Sequence, residues 1–523
     1  MSRSDAWFVI VVSALWVCVA GLTWGTGTAS GTDSYGYISE AQLLVDGDLV
    51  IDQPIAREVP WPDADWTFSP LGYRPGLERG TIVPVYPLGL PLVMALFQLV
   101  GGPGAVFFVV PLLGLVAVLA TAGLAARMSN LTGGAVAALL VGASPTMFYA
   151  VMWPMSDVAA TAWWAAAMFL ATGAGVPSAA GSGFAAALAI LTRPNLVGVA
   201  IAPGVYLLGR VWSGGSGRRL EIARLVSFVV PAVAGCLGVA AVFTALYGSP
   251  LESGHGELSQ LFSTSLAPSN IVGFITRPFV VEPALVLLGM AGAGSYLVAS
   301  GAGERPASRS IASLCVGAIV LVLASYLFYL NYPEWWYLRF LLPAYPAVAA
   351  LGGAGVARGV QRVSDERRTI VLSVVAVVIV LLGAYRSGRE GVVRVGVAEA
   401  RYPAVGRFIE RELPENAVLF AFQQSGSIRY YSGRLTLRYD LLGPEWLETA
   451  VGELGDRGYR PYFVVEEHDP SFRERFGAAT PLGRLDWPAA ARFDGEVTVE
   501  IFDPADRTRW LTGETIVTRP IEP

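Results

Sequence analysis

This sequence contains no lysine, only two histidines and only three cysteines among its 523 residues. The cysteines, Cys18, Cys236 and Cys315, all lie inside apolar segments, so the sequence indicates neither a disulfide framework nor a cysteine-based metal cluster. Charged residues are also scarce, at 15%. The formal net charge of -5 argues against the basic surface that nucleic acid requires, and we expect no nucleic-acid partner.

Apolar residues are what the sequence has in excess, with 54% hydrophobic residues and a mean hydropathy of +0.53. Stretches of about 20 apolar residues, the length that crosses a hydrocarbon core, recur from Trp7 to Tyr385 and then stop. We therefore expect a mainly α protein: a polytopic transmembrane helical bundle in residues 1–390, followed by a small soluble α/β domain in residues 391–523.

The apolar segments number twelve, and their arginines decide which of them cross the membrane. The candidates are 7–24, 86–101, 105–126, 131–150, 156–174, 178–191, 195–212, 223–247, 277–299, 308–330, 338–358 and 368–386. If all crossed from a cytoplasmic N-terminus, the arginine-rich loops would lie outside, against the positive-inside rule. Removing 86–101, which is short and opens with Tyr86-Pro87, corrects these loops and leaves about eleven spans.

This count predicts a multi-pass protein of the cell membrane with a cytoplasmic N-terminus and an extracytoplasmic C-terminal domain. Segment 7–24 is interpreted as a retained helix, because no small-residue cleavage site is clear. The outer side receives a large first external loop, 25–103, and a second large external loop, 248–276. Within the first loop, segment 86–101 is expected to lie in or along the outer interface.

Asp33 follows the first span almost immediately, in an acidic loop that is too long for a simple connector. A carboxylate held at the outer mouth of the bundle suits a general base. A helix N-cap is the alternative, because Asp33 precedes a predicted amphipathic helix from Tyr35 to Leu44. The spacing alone leaves both roles open.

Three further residues are predicted near the outer face. Asp157 stands at the head of a span, where a carboxylate is costly unless it is paired, functional or a helix cap. Arg193 lies in a short external turn, where a lone Arg often only reaches toward lipid head groups. His255 lies in the second external loop and can equally be an ordinary solvated residue.

Arg339 follows an aromatic belt that includes Trp336 and Tyr337. Aromatic residues in this position are ordinary interface anchors. The guanidinium of Arg339 is always charged and lies at or just inside the apolar boundary, and its planar fork suits bidentate binding of phosphate. The sequence therefore predicts an outward cavity that accommodates a lipid phosphate at the interface and a polar acceptor above it.

These motifs, taken in order, give the sequence a family resemblance. They are Asp33 with Tyr35 and Tyr37 after the first span, Tyr86-Pro87-Leu88-Gly89-Leu90-Pro91, Ser156-Asp157, Thr192-Arg193-Pro194 and Trp336-Tyr337-Leu338-Arg339-Phe340-Leu341-Leu342-Pro343. The sequence resembles the membrane-embedded glycosyltransferases of the C superfamily, which include protein O-mannosyltransferases, aminoarabinose transferases and oligosaccharyltransferase catalytic subunits. It departs from better-known relatives in having Ser34 after Asp33 and no tryptophan-rich peptide motif in the soluble domain.

The resemblance implies a hexosyl- or pentosyltransferase that uses a polyprenyl-phosphate sugar donor in the lipid membrane and a glycan, lipid or protein acceptor. Asp33 would be the base. Asp157 would be the second acidic position, which in some members helps to bind a metal and in others only shapes the site. A divalent metal is therefore an open alternative, and no cofactor is fixed. The remaining candidates are the phosphate contacts Arg277, Arg339 and Tyr337, and the acceptor or donor contacts Tyr35, Tyr86, His255 and Arg193.

The C-terminal domain alternates helical and strand patterns. The prediction is a helix over 399–412, a strand over 417–422, a helix over 445–457 and a strand over 462–467. No glycine-rich phosphate loop follows a strand, so nucleotide binding is not indicated. Acceptor binding and a stabilising lid remain equal alternatives for its role. For the whole chain, the rival functions are a lipid or sugar transporter or flippase and a non-catalytic membrane scaffold.

Overall fold

The computed structural model describes residues 1–213, 215–256, 261–297, 306–467 and 472–522. Residues 257–260 of the predicted second external loop therefore lie outside the described residues, as does Pro523 of the predicted C-terminal domain. The described chain is a helical membrane bundle with a small sheet-containing region at its C-terminal end. The predicted polytopic bundle with a C-terminal α/β region is thus confirmed.

Eight helices of the described residues are long and apolar enough to cross a membrane. They are Arg3–Trp24, Pro103–Met128, Gly175–Thr192, Pro194–Ser213, Arg218–Tyr247, Pro306–Leu327, Trp335–Val360 and Asp365–Arg389. The stretch that we excluded from the count forms a shorter apolar helix, Gly89–Gly101.

Three further predicted spans are bent or short. Leu131–Gly142 and Pro145–Val151 meet at 63°, and Thr264–Val281 and Pro283–Leu297 meet at 110°. A proline begins the second helix of each pair, where its missing N–H and its ring interrupt the helical hydrogen bonds. Ser156–Ala171 has 16 residues. Each of the eleven predicted spans therefore coincides with a helix or a bent pair.

One predicted boundary is wrong. We expected residues 248–276 to be loop and a span to begin at Arg277. Instead, the helix Ala267–Val281 contains Arg277 in its interior, and Pro268 occupies its first turn. Proline is well tolerated at the start of a helix, and the sequence offers this signal at both Pro268 and Pro278. The structure shows that the first of the two marks the helix start.

The first external loop is largely ordered. The helix Asp33–Asp46 contains the predicted amphipathic segment. The loop then forms three strands, Ile51–Asp52 (β1), Tyr73–Pro75 (β2) and Thr81–Pro84 (β3). They make an antiparallel sheet in the order β1-β3-β2. Two short helices, Ile55–Glu58 and Ala64–Thr67, lie between β1 and β2.

The C-terminal region is built on a six-stranded sheet. Its strands are Ala417–Phe420 (β4), Leu435–Leu437 (β5), Arg460–Glu466 (β6), Ala491–Phe493 (β7), Val499–Phe502 (β8) and Arg519–Pro520 (β9). Their order in the sheet is β5-β4-β6-β8-β7-β9. Its helices include Arg401–Glu412, Ser425–Ser432, Leu447–Asp456, Phe472–Phe476 and Pro504–Leu511. The predicted helices and strands coincide with observed elements to within a few residues.

The first external loop shares a hydrophobic core with the C-terminal region. Trp61 and Phe68 are buried in one cluster with Phe420, Phe463 and Phe472. Burying an aromatic side chain of this size contributes roughly 1.5–3 kcal/mol. The loop and the sheet therefore form one packed body above the helical bundle, rather than a loop beside a separate domain.

Candidate active site

Asp33 begins the helix Asp33–Asp46, but its side chain does not cap that helix. Its Oδ1 accepts a hydrogen bond from the Tyr86 hydroxyl at 2.6 Å. Its Oδ2 lies 3.2 Å from Nη2 of Arg339 in an ion pair. The structure thus brings together three residues that the sequence placed in the first loop, in an interfacial segment and at the head of a late span.

Gly36 allows Tyr86 to reach Asp33. A Cβ atom on Gly36 would lie 2.2 Å from the Tyr86 ring, which is closer than real Cβ contacts allow. The Tyr86 ring also contacts Tyr37, with centroids 4.4 Å apart, and lies roughly perpendicular to the His255 ring, with centroids 5.6 Å apart. Tyr86 is therefore held by aromatic packing with its hydroxyl on the carboxylate.

Opposing effects act on the pKa of the Asp33 carboxyl group. Its removal from water opposes ionisation, but the Arg339 guanidinium and the Tyr86 hydroxyl outweigh that effect and hold the pKa of Asp33 below its usual value. A lowered pKa means that the ion pair is fully formed above the usual carboxyl pKa and is lost as the pH falls through the lowered one. About 37% of the side-chain surface stays exposed, so the carboxylate is accessible.

Asp157 and Arg193 form a second, closed pair. Nη2 of Arg193 donates to Oδ1 of Asp157 at 2.7 Å, while its Nε donates to the Ser156 hydroxyl and its Nη1 to the Tyr326 hydroxyl, each at 3.0 Å. The Asp157 side chain is only 2% exposed. Removing one partner from such a buried pair costs about 3–5 kcal/mol. Arg193 therefore points into the bundle and not toward lipid head groups.

Arg339 retains donor capacity beyond Asp33. Its Nη1 contacts the Met155 sulfur at 3.3 Å, and its guanidinium lies 5.6 Å from the ring centroids of Tyr337 and Phe340. Its Nε–H is buried and has no hydrogen-bond partner among the described residues. An unmet buried donor on a permanently charged group is suited to an incoming anion.

Arg277 lies apart from this cluster. Its Nη1 donates to the Tyr332 carbonyl at 2.6 Å, and the Tyr332 ring packs on Tyr337 with centroids 4.8 Å apart. Through these two tyrosines Arg277 adjoins the neighbourhood of Arg339, but the structure shows no contact between Arg277 and Asp33. The sequence could not make this distinction, because both arginines precede a proline-marked apolar stretch.

The second external loop is fixed onto the first by Arg74. Its Nη2 donates to Glu252 at 2.8 Å and its Nη1 to the Ser253 carbonyl at 3.0 Å. This anchor sets His255 against the Tyr86 ring, although the His255 side chain stays exposed. Partial removal from water lowers the pKa of His255, and the nearby Asp33 carboxylate partly opposes that shift.

Tyr35 is not in this cluster. Its ring packs against Tyr73, with centroids 5.7 Å apart, and against Gly426 of the C-terminal region. The family pattern in the sequence included its neighbour Tyr37 but gave it no role in the site. The Tyr37 hydroxyl donates to the Ser156 hydroxyl at 2.8 Å and so joins the Asp33 helix to the Arg193 network. The i, i+4 spacing from Asp33 is the signal that could have identified Tyr37.

The donor set does not fit a metal site. The carboxylates of Asp33 and Asp157 are each paired with a guanidinium. Across the described residues, no group of three or more His, Cys, Asp or Glu side chains is placed to hold a metal ion.

Comparison with known proteins gives the fold. No family model and no curated protein sequence matches this chain. Among solved structures, ArnT from Cupriavidus metallidurans bound to undecaprenyl phosphate superposes with a TM-score of 0.56 at 14% identity, covering 96% of this chain and 98% of that one. The Archaeoglobus fulgidus oligosaccharyltransferase superposes with a TM-score of 0.55 at 11% identity, covering 89% of this chain and 70% of that one.

A second structure of the Archaeoglobus fulgidus protein, AglB in complex with an inhibitory peptide and a dolichol-phosphate, has a TM-score of 0.54 at 11% identity and covers 91% of this chain and 72% of that one. The fold expected from the sequence resemblance is therefore confirmed. This chain is a multi-pass membrane protein with the fold of these glycosyltransferases.

Proposed function

We propose that this chain, having the fold of ArnT and of archaeal oligosaccharyltransferase, is a membrane glycosyltransferase that takes a sugar from a polyprenyl-phosphate donor. The observation that carries the proposal is the partly exposed Asp33 carboxylate held between the Tyr86 hydroxyl and the Arg339 guanidinium. A carboxylate suited to act as a base and a cation suited to bind phosphate lie side by side there, and this arrangement supports transfer from a lipid phosphate to a hydroxyl.

In the proposed reaction, Asp33 accepts the proton of an acceptor hydroxyl. The acceptor oxygen forms a bond to the anomeric carbon of the sugar as the bond from that carbon to the phosphate oxygen breaks. The bonding electron pair leaves with the polyprenyl phosphate, whose growing negative charge Arg339 stabilises through its unmet Nε–H. A single displacement of this kind inverts the anomeric centre.

The neighbouring residues have supporting roles in this proposal. Tyr337 and Arg277 extend the anion-binding side of the site, while Tyr86 and His255 border the carboxylate on the side of the external loops. The acceptor is a hydroxyl of a glycan, lipid or protein. Asp157 and Arg193 act as a structural pair, because their charges are already satisfied by each other and by their hydrogen bonds.

The proposal is tested with the full-length chain in detergent or lipid vesicles. The chain is incubated with a panel of radiolabelled undecaprenyl-phosphate hexoses and pentoses. Membranes from the organism that naturally makes this protein supply the acceptor. We expect transfer of label from at least one donor, with competition by unlabelled undecaprenyl phosphate. Donor binding and passage across the vesicle without any transfer would contradict the proposal and support a transporter.

The orientation belongs to the same proposal, with the N-terminus cytoplasmic and the first external loop and C-terminal region extracytoplasmic. The arginine-rich loops support it through the positive-inside rule. Glu78 in the first loop and Ser364 before the helix Asp365–Arg389 are both exposed. In a chain without native cysteines, Glu78→Cys should react with an impermeant maleimide on intact cells and Ser364→Cys only after lysis. The reverse pattern would invert the topology.

A further inference from the structure

A short helix of the C-terminal region, Ser425–Ser432, reaches the chain next to Asp33. The hydroxyl of Tyr431 in this helix accepts a hydrogen bond from the Ala29 N–H at 2.9 Å. Ala29 lies four residues before Asp33, and 402 residues separate the two bonded groups in sequence. The C-terminal region therefore holds the backbone that leads into the candidate base.

The same helix contacts the chain after Asp33. Gly426 lies so close to Tyr35 that an added Cβ atom would be 2.1 Å from the Tyr35 ring. Tyr35 is fully within the packed interior, between Gly426 and Tyr73. Because its ring cannot move outward, a side chain at position 426 would push on the helix Asp33–Asp46 itself.

Two further bonds tie this helix to the segment that leads to Tyr86. The hydroxyl of Ser425 accepts a hydrogen bond from the Leu71 N–H at 3.1 Å. Nη2 of Arg429 donates to the Phe68 carbonyl at 2.6 Å. The helix Ser425–Ser432 thus contacts both parts of the first loop that carry the candidate site.

We propose that the helix Ser425–Ser432 positions the carboxylate of Asp33, with Gly426 as a positioning residue. In this proposal the C-terminal region contributes to catalysis by setting the position of the base. This role differs from both alternatives that the sequence left open, acceptor binding and a stabilising lid. This inference rests on the proposed function of Asp33. The position of the Asp33 carboxylate matters for the rate, because displacing a reacting group by about 1 Å can lower the rate on the order of 100-fold.

The test is Gly426→Ala in the full-length chain. We expect kcat for sugar transfer to fall about 10- to 100-fold because the added methyl group displaces Tyr35 and the Asp33 helix. The acidic limb of the pH profile should also move to higher pH. Arg339, Tyr86 and His255 are the groups that lower the pKa of Asp33, and moving away from them weakens those interactions. The phenols of Tyr37, Tyr329 and Tyr337 are the other titratable groups near the carboxylate.

Gly452→Ala is the matched control. Gly452 lies in the helix Leu447–Asp456 of the same region, is exposed, and has no atom within 4 Å of an added Cβ. Tyr86→Phe, which removes one hydrogen bond to Asp33, provides a reference for the direction of the pH shift. Rates are normalised to the folded protein recovered.

The second variant is Gly426→Ala combined with Tyr35→Ala. If the effect passes through the Tyr35 ring, this double variant should regain part of the lost kcat. Should Gly426→Ala fail to fold, Ser425→Ala removes only the bond to Leu71 and should still shift the acidic limb. A normal kcat and an unshifted limb in these variants would overturn the inference. Absence of transfer by the parent and by Gly452→Ala would instead reject the proposed function.

Discussion

Asp33→Asn is expected to lower sugar transfer by about 100- to 10,000-fold, the range that general base catalysis contributes, with little loss of donor binding. The amide has nearly the same size and keeps an oxygen that can accept from Tyr86, but it cannot take up a proton. It also leaves Arg339 without its carboxylate partner, which should favour an incoming phosphate. The measurements are initial transfer rate and donor KM for both proteins at equal folded concentration.

Asp52→Asn is the control for that experiment, because it makes the same chemical change in the same external loop. Asp52 forms an exposed ion pair with Arg57, with its side chain 63% exposed, and exposed pairs of this kind contribute little. Its transfer rate should match that of the parent. Equal rates for Asp33→Asn and the parent would remove Asp33 from the role of base.

Arg339→Ala should raise the donor KM and lower kcat, with a combined loss in kcat/KM of about 100- to 1,000-fold. The variant removes the cation that we propose stabilises the leaving phosphate. It also removes the charge that lowers the pKa of Asp33, so the acidic limb of the pH profile should move upward. Arg339→Lys keeps the charge without the planar fork and should lose less.

Arg277→Ala and Arg79→Ala complete the comparison. Arg277 adjoins the site only through Tyr332 and Tyr337, so its loss should be felt mainly in the donor KM and should be smaller than the loss for Arg339→Ala. Arg79 is exposed in the first loop and should leave transfer unchanged. A larger effect at Arg277 than at Arg339 would move the proposed phosphate site to Arg277.

The sequence predicted the spans because crossing a membrane imposes a local rule. About 20 apolar residues must lie together, and such a run can be recognised without knowing its neighbours. The strand over 417–422 and the helix over 445–457 were also recognised from local patterns, and both coincide with observed elements. The sequence placed Arg277 at the start of a span, whereas it lies inside the helix Ala267–Val281. The error arose because Pro268 and Pro278 carry the same helix-start signal, and the local pattern does not say which of them begins the helix.

The site itself was only partly predictable. The residues Asp33 and Arg339 are 306 positions apart, and the sequence predicted a shared outward cavity for them but not their ion pair. The pairing of Arg193 with Asp157 and the packing of Tyr35 on Gly426 were not predicted at all. Which face of a helix meets which partner depends on packing between distant segments, and single-sequence patterns do not encode it.

The shared core of the first external loop and the C-terminal region has a consequence for the order of synthesis. Phe68 is bonded to Arg429, 361 residues later, so the loop emerges long before its packing partner exists. At about 5–20 residues per second, that gap lasts roughly 20–70 s. During this interval Trp61 and Phe68 cannot be buried in the core that they occupy in the finished protein. The packed body that the loop forms with the C-terminal region can therefore be completed only after all the spans have been synthesised.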